Sequence, residues 1–244
     1  MNIGKEFVEK TKYPYLQESA QRQGIPQPTI EEPLPANVQL IDLPDPQKLE
    51  LVNSNFLELL AQRQTVRDYA VKEISLQELS LLLWATQGVR EVTNFPVTKR
   101  IVPSAGSRHA FETYLLINQV AGLQSGCYRY VALQHKLYRL SAPENISQIL
   151  TDACGGQKQV LQSAVTFFWA AVPFRMSWRY SERAYRYLYL DAGHVCQNLY
   201  LAAEAIQCGV CAIAAYDDDA VDKALGLDGQ EIFTIYIASL GKKK

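Results

Sequence analysis

Apolar residues recur at helical spacing in four stretches after residue 50. The helices that this spacing predicts are 54–63, 75–88, 141–154 and 217–225. Two of them open with a capping box, in which a serine and a glutamate three residues later satisfy each other's free N–H groups. These boxes are Ser75 with Glu78 and Ser141 with Glu144. Gly88 is placed to form a left-handed C-cap.

Other apolar runs follow strand patterns. Residues 126–140 alternate in two runs around a polar centre, which predicts a hairpin. Residues 164–172 (AVTFFWAAV) are continuously apolar, as expected of a strand that is covered on both faces. Further strands are predicted at 112–120, 210–216 and 231–240. Together these elements predict an α+β fold with helices outside a small mixed sheet.

The longest predicted element is a helix over 182–208, about 40 Å long. Past Tyr189 it is apolar or small on nearly all sides, and a helix that is hydrophobic all round must be buried. Small residues at 192–193 and 202–203 permit another backbone to approach closely. Because one chain of this size has difficulty covering such a helix, we expect a homodimer packed through it.

The N-terminal 47 residues differ from the rest. They carry seven of the eleven prolines, so regular helix or strand is hard to sustain there. Scattered tyrosines and leucines indicate that the segment lies against something else instead of being disordered. We therefore expect an arm over 1–47 and a domain over 48–244.

Composition narrows the class of protein. With 48% hydrophobic residues and a net charge of −1 over 244 residues, the chain can bury one sizeable core and offers no large basic surface for nucleic acid. It holds no apolar run of about 18 residues, which a membrane span needs, and no signal-peptide block near residue 1. We expect a cytoplasmic protein that binds neither membrane nor nucleic acid.

Candidate metal and redox ligands are few. Three histidines leave little scope for a metal centre, and Cys208 and Cys211 match C-x-x-C without a second pair. Reduced, buried thiols are the favoured interpretation for all five cysteines. The acidic triplet 217–219 already has a reason to stand at a helix start. No metal is expected, and the G-x-G-x-x-G, P-loop and G-x-S-x-G motifs are missing.

Three short segments carry residue types that suit a flat, anionic ligand. If extended, RQTVR places Arg63, Thr65 and Arg67 on one side, and arginine forks match phosphate oxygens. Residues 103–107 (PSAGS) form a small-residue turn whose N–H groups could face an anion or an aromatic ring. The alanines at 214–215 would let backbone amides approach a ligand's edge. Each segment alone also fits an ordinary surface, loop or packed strand.

The order of the motifs distinguishes these alternatives. The chain contains, in sequence, RQTVR (63–67), ISLQELSLLLWATQG (74–88), RIVPSAG (100–106), YRYLYLDAGHVCQNLYLAAEA (185–205) and CAIAAYDDDAV (211–221). This series resembles the nitroreductase superfamily of flavin enzymes, and within it the SagB-type dehydrogenase branch, whose azoline-oxidase members aromatise peptide heterocycles. The resemblance implies a central mixed or antiparallel sheet flanked by helices and a long buried helix at a homodimer interface.

The resemblance also implies an FMN site between the two subunits. The residues that would contact the phosphate, the ribityl chain and the pyrimidine edge are Arg63, Gln64, Thr65 and Arg67. Those that would lie against the isoalloxazine, from the partner chain, are Pro103, Ser104, Ala105 and Gly106. Ala214 and Ala215 would offer N–H groups near N5. Lys242 and Lys243 fall where the family often places a final cation for the phosphate.

The implied reaction is ping-pong hydride transfer through the flavin, acting on a small molecule or a modified peptide. The electron donor would be NAD(P)H, or the azoline itself with oxygen as the final acceptor. Azoline oxidases have a Lys-Tyr pair ahead of the long helix as the proposed proton acceptor, where this chain has Arg179 and Tyr180. Arginine is a poor general base. Tyr180 could act as the base, pack, or bind substrate.

A second hypothesis belongs to a different class. The chain would then be a flavin-binding but catalytically silent partner within a complex that modifies peptides, with the arm as its docking element. Arg179 in the place of a lysine favours this alternative.

Overall fold

The centre of the protein is a seven-stranded sheet. The computed structural model describes residues 2–95 and 97–244. The strands are β1 (Ile41–Asp42), β2 (Val89–Val92), β3 (Thr98–Arg100), β4 (Phe111–Ile117), β5 (Gly126–Val131), β6 (Lys136–Arg139), β7 (Val165–Ala171), β8 (Cys208–Ile213) and β9 (Phe233–Lys242). The sheet has the order β1-β6-β5-β4-β7-β9-β8, and all its neighbouring strands are antiparallel, while β2 and β3 form a separate ribbon.

Helices cover both faces of this sheet. They are α1 (Ile3–Lys10), α2 (Phe56–Gln62), α3 (Leu76–Gln87), α4 (Ile146–Ala153), α5 (Lys158–Gln162), α6 (Pro173–Tyr180), α7 (Ala184–Glu204) and α8 (Asp218–Leu225). Phe167 and Trp169 of β7 belong to the core under α3 and α7, whereas Phe168 and Ala170 belong to the core under α4 and α8. Strand β7 is therefore buried on both faces, and the predicted α+β fold is confirmed.

Two predicted helix ends are wrong. Gly88 ends α3 in an extended conformation, not a left-handed one, with φ −55° and ψ 132°. A Cβ there would lie 2.5 Å from Trp84 Cδ1, so the glycine permits close packing. The capping box at Ser141 and Glu144 does not form, because α4 begins later, at Ile146, with Asn145 as its N-cap. The box at Ser75 and Glu78 is confirmed.

The long helix is shorter than predicted. Helix α7 has 21 residues, or about 31 Å, because a 3₁₀ turn precedes it and a further turn at 205–207 feeds strand β8. Cys208 and Cys211 thus both lie within a strand. One surface of α7 stays open in the single chain, since Tyr189 and Leu190 are each 60% exposed. Burial of this surface by a second chain stays a prediction.

The arm contains more regular structure than its prolines suggested. Helix α1 precedes the first proline, at position 14, so no ring interrupts it. The arm lies across α7, where Arg186 Nε donates to Thr11 Oγ1 at 2.6 Å and Arg183 Nη1 donates to the Thr11 carbonyl at 2.8 Å. Strand β1, also within the arm, pairs with β6. The division at residue 47 therefore stays a prediction.

A buried ionic network fastens the middle of the arm to the sheet. Arg175 Nη2 pairs with Glu32 Oε1 at 3.0 Å, and the Glu32 N–H donates to Glu112 Oε1 at 2.8 Å. Arg129 donates to the Glu32 carbonyl at 2.7 Å and pairs with Glu112 at 2.9 Å. Each charge of this network thus contacts an opposite charge, which offsets the cost of removing it from water.

No helix in the described ranges is both long enough and apolar enough to cross a lipid bilayer.

Candidate functional site

The turn at residues 103–106 lies against the pair Arg179 and Tyr180. Gly106 has φ +58°, a conformation that side chains disfavour. A Cβ on it would overlap the Tyr180 hydroxyl and would lie 3.2 Å from Arg179 Cδ. The structure therefore brings together the turn and the two residues expected to be catalytic, which α6 delivers from its C-terminal end.

Asp191 holds this turn from helix α7. The Ala105 N–H donates to Asp191 Oδ1 at 3.3 Å, while the Ser104 hydroxyl accepts a hydrogen bond from the His109 N–H at 2.9 Å. Burial raises the pKa of Asp191, and the hydrogen bonds from Ser104 and Ala105 oppose that effect. Burial, with the charges of two nearby arginines, lowers the pKa of His109 to about 3, so its ring is neutral near pH 7.

The segment at residues 63–67 runs along the free edge of β8. The Val66 N–H donates to the Val210 carbonyl at 2.9 Å. A Cβ on Gly209 would lie 2.5 Å from Val66 Cβ, so the missing side chain allows this close contact. Thr65 Oγ1 lies 3.3 Å from the Tyr200 hydroxyl, which accepts a hydrogen bond from the Ala212 N–H at 3.0 Å.

Two uncompensated positive charges belong to this segment. The Arg63 guanidinium lies over the Tyr200 ring, 5.4 Å from its centroid. Across residues 2–95 and 97–244, no carboxylate forms a salt bridge with Arg63 or Arg67. Gln64 and Thr65 are exposed beside them. The segment thus presents two guanidinium groups that lack a carboxylate partner and can bind an anionic ligand.

The predicted backbone donors lie on the same edge. Ala214 and Ala215 follow directly after β8 and are exposed. Ala214 borders an open cavity of about 530 Å³ between the end of β8, strand β9 and the exposed surface of α7. The walls of this cavity include Tyr189, Gly193, Phe233 and Tyr236. A flat ligand would meet backbone and aromatic rings there.

Lysines 242 and 243 are placed differently from the arginines. Lys242 forms an ion pair with Glu78, and Lys243 forms one with Glu204. Their charges are therefore balanced within the chain, unlike those of Arg63 and Arg67. Their predicted contact with a phosphate stays a prediction.

The turn and the arginine segment contact α7 at two separate positions, one near its middle and one near its C-terminal end. Asp191 holds the turn, and Tyr200 contacts the arginine segment, nine residues later along the same helix. Nine residues correspond to about 14 Å along the axis and to half a turn around it.

Sequence inspection had missed Asp191 and Tyr200 as site residues. The signal in the sequence is weak, since α7 carries other polar residues as well, namely Arg186, His194, Gln197, Asn198 and Glu204. A polar side chain in a packed helix needs a hydrogen-bonding partner. Asp191 finds one in the Ala105 N–H, and Tyr200 finds one in the Ala212 N–H.

The cysteines do not form a reactive or metal-binding group. All five are free and buried, and burial raises the pKa of Cys208 to about 12. In the described ranges, no three His, Cys, Asp or Glu side chains converge as metal ligands would. The C-x-x-C pair is therefore part of the packed sheet.

Comparison with protein families gives a match over residues 60–242, about three quarters of the chain, to the nitroreductase family. A protein of Methanocaldococcus jannaschii that is named as a nitroreductase is 29% identical over 203 residues, which are 83% of this chain and 96% of that one. The trifolitoxin-processing protein TfxB of Rhizobium leguminosarum bv. trifolii is 28% identical over 164 residues, or 64% of this chain. The match spans 44% of TfxB, less than half its length.

Solved structures share the fold. In the Escherichia coli microcin synthetase complex McbBCD with truncated pro-MccB17, one chain superposes with a TM-score of 0.62 at 20% identity, covering 99% of this chain and 92% of that one. A nitroreductase from Desulfovibrio desulfuricans in complex with FMN superposes with a TM-score of 0.55 at 17% identity, covering 79% and 88%. The resemblance inferred from the order of the motifs is thereby confirmed: the chain belongs to the nitroreductase family.

Proposed function

We propose that this protein is an FMN-dependent oxidoreductase of the SagB-type branch that works as a homodimer. The observation that carries the proposal is the pair of uncompensated charges on Arg63 and Arg67, next to the exposed backbone at 214–215. Family membership, an FMN-bound structural relative and two peptide-processing relatives support it.

The residues present fit the phosphate end of the cofactor. Two guanidinium groups that lack carboxylate partners are the donor set that a phosphate dianion prefers. The Thr65 hydroxyl and the Gln64 amide add neutral hydrogen-bonding groups for the ribityl chain. We assign Arg63, Gln64, Thr65 and Arg67 to this end of FMN.

The flat end of the cofactor requires a surface without protruding side chains. Residues 103–106 provide one, because the turn is built from small residues and Asp191 fixes its backbone. We place this turn, contributed by the partner subunit, against the isoalloxazine. Ala214 and Ala215 supply backbone N–H groups at its opposite edge, where they would stabilise negative charge.

The assignment to two subunits rests on helix α7. Within one chain the turn and the arginine segment contact it nine residues and half a turn apart, so we assign the turn of one subunit and the arginine segment of the other to the same site. The exposed Tyr189 and Leu190 give that copy an apolar surface on which to pack.

FMN, when bound, accepts and returns a hydride, with NAD(P)H or the substrate as donor. An arginine is a poor general base, so we assign Arg179 to binding. The Tyr180 hydroxyl touches the turn at Gly106, which we place at the reaction site. We assign Tyr180 to proton transfer or substrate positioning.

The experiment is anaerobic titration of the purified, FMN-loaded protein with NADH, NADPH and an azoline peptide, followed by the flavin absorbance. Bleaching with one of these donors supports the oxidoreductase. Retention of FMN without bleaching by any donor contradicts it and supports the second candidate, a catalytically silent subunit of a peptide-modifying complex. Arg179 in place of lysine is the observation that favours this candidate. Failure to bind FMN contradicts both.

A further inference from the structure

A cavity lies outside the predicted cofactor contacts, between the arm and the C-terminal end of α6. This cavity, which we call the arm cavity, has a volume of about 680 Å³. Its lining comes from residues 13–22 of the arm and from Arg179, Tyr180, Ser181 and Arg183. The volume falls in the range of sites for small ligands, about 300–1,000 Å³.

Positive charge dominates its lining. Arg22, Arg179 and Arg183 face a single carboxylate, that of Glu18. None of the three arginines forms a salt bridge within the described ranges. Three guanidinium groups thus surround the cavity without compensation from the chain itself.

These three arginines differ in how firmly they are held. Arg183 is fixed, because it donates to the Tyr187 hydroxyl at 2.9 Å and lies 4.4 Å from the Tyr13 ring centroid. Arg22 and Arg179 are exposed and free to close on a ligand. A fixed charge beside two movable forks suits capture of an anion that enters from solvent.

A further cation lies beneath the cavity. Arg108 is buried under the Trp178 ring, 4.9 Å from its centroid, and donates from Nε to the Arg175 carbonyl at 2.8 Å. Burial lowers the pKa of Arg108, and the charge of Arg179 lowers it further. The two guanidinium groups therefore repel each other, and an anion at Arg179 would relieve that repulsion.

The remaining walls are aromatic. Tyr13 and Tyr180 border the cavity, and the Tyr180 ring meets Tyr187 edge to face with centroids 4.9 Å apart. Aromatic walls suit a flat, apolar body. Because Tyr180 also touches Gly106, a ligand anchored in the arm cavity would extend toward the turn at residues 103–106.

We propose that the arm cavity is the substrate's anion site, and that Arg22 and Arg179 bind a carboxylate carried next to a planar group of the substrate. This inference rests on the proposed function, which identifies the turn as one wall of the reaction site. It also accounts for arginine at position 179, since a planar fork binds a carboxylate through two hydrogen bonds and an ammonium group does not.

The test is direct binding to the full-length chain, with and without FMN. Benzoate, benzamide and phenyl phosphate are the probes, and dissociation constants are measured by saturation-transfer NMR. Benzoate and benzamide have the same ring and differ in charge, while phenyl phosphate represents the phosphate of a nucleotide donor. We expect benzoate to bind at least about fivefold more tightly than benzamide, because hydrogen bonds to charged groups are stronger than neutral ones.

Variants identify the residues. Arg179→Gln and Arg22→Gln are each expected to weaken benzoate binding at least about threefold and to leave benzamide unchanged. Arg179→Lys should recover only part of the loss. The control is Arg90→Gln, which removes an exposed arginine of strand β2, outside the cavity lining.

The outcomes separate this inference from the proposed function. Equal binding of benzoate and benzamide, or tighter binding of phenyl phosphate than of benzoate, overturns the carboxylate site, whatever the flavin does. So does unchanged benzoate binding in both glutamine variants. Charge-selective binding by a chain that retains no FMN supports the anion site and contradicts the proposed function.

Discussion

Arg175 Nη1 lies 2.7 Å from Glu112 Oε1, and neither side chain reaches solvent. Glu112 stands on β4 in the middle of the sheet, and Arg175 also pairs with Glu32 of the arm. Arg175 therefore does two things: it neutralises Glu112 inside the core, and it holds the arm through Glu32. Removing one member of such a network leaves a buried charge without its full set of partners.

We expect Arg175→Met to lower the free energy of unfolding by about 3–5 kcal/mol, because Glu112 and Glu32 lose their shared cation. The same variant should expose the arm to proteolysis near residues 29–33. Urea unfolding and limited digestion with a glutamate-specific protease, which can cut after Glu31, measure the two effects. Arg90→Met, at an exposed position, is the control and should change stability by less than about 0.5 kcal/mol. An unchanged urea midpoint for Arg175→Met would contradict the role of the network.

Gly106→Ala is expected to reduce FMN retention. The new Cβ would overlap the Tyr180 hydroxyl, and the positive φ adds about 1–2 kcal/mol of strain. Flavin absorbance after gel filtration reports retention. Adding Tyr180→Phe removes the overlapping oxygen but not the strain, so the double variant should recover part of the FMN.

Gly226→Ala is the matched control for this pair. Gly226 also has a positive φ, +75°, but nothing lies within 4 Å of its missing Cβ. Gly226 ends helix α8, so the Gly226→Ala protein should lose stability but keep its FMN. If Gly106→Ala and Gly226→Ala retain equal FMN, the turn does not line the flavin site.

Arg67→Ala is expected to discriminate between FMN and riboflavin. The two flavins differ only by the phosphate, so loss of a charge-assisted hydrogen bond to it should weaken FMN about tenfold or more and leave riboflavin nearly unchanged. Quenching of flavin fluorescence on titration measures both affinities, with Arg90→Ala as the control. Equal losses for both flavins would place Arg67 away from the phosphate.

Leu190→Arg is expected to convert the dimer into a monomer and to abolish FMN retention, because a charge would stand on the exposed apolar surface of α7. Light scattering coupled to gel filtration gives the mass. Leu161→Arg is the control, since Leu161 is 43% exposed on α5, outside α7. A wild-type chain that is monomeric while it holds FMN would overturn the two-subunit site.

The lowered pKa of His109 should make the free energy of unfolding depend on pH. Burial lowers its pKa to about 3, whereas the unfolded value is near 6.5. Between these two values the unfolded chain binds more protons, so the contribution of this residue is complete above about pH 6.5. It falls by up to about 1.4 kcal/mol for each pH unit of acidification toward pH 3.

His109→Asn tests this dependence, because asparagine tolerates the positive φ of 43° and does not titrate. Urea unfolding at pH 7, 6, 5 and 4 should give a flatter profile for the variant than for the wild type. Parallel profiles would show that another group dominates in this range.

The elements that were predictable from the sequence are those fixed by local pattern. The capping box at Ser75 and the hairpin at 126–140 depend on residues within a few positions of one another. Strand β7 was predictable because a strand that is covered on both faces is apolar at every position. Helix α6 was missed because Arg175, at its centre, is buried only by virtue of partners at positions 32 and 112. No local pattern contains that information.

The candidate site also has a part that was predictable from the sequence and a part that was not. The motif order predicted the turn and the arginine segment as site residues, since both are short and carry their own chemistry. Their placement nine residues apart along α7 was not predictable, because it depends on how the turn meets Asp191 and how residue 65 meets Tyr200. The arm cavity was equally inaccessible, because arm residues 13–22 and the residues at 179–183 meet only in the folded chain.

In the proposed homodimer, where each site takes its turn from one subunit and its arginines from the other, the two halves of a site would be genetically separable. A chain with Arg67→Ala would lack the phosphate end but keep its turn, and a chain with Gly106→Ala would lack the turn but keep its arginines. Each homodimer would then be defective at both sites. A heterodimer of the two variants would carry one site with both lesions and one site with none, so each heterodimer formed from the two defective proteins should regain one of its two flavin sites.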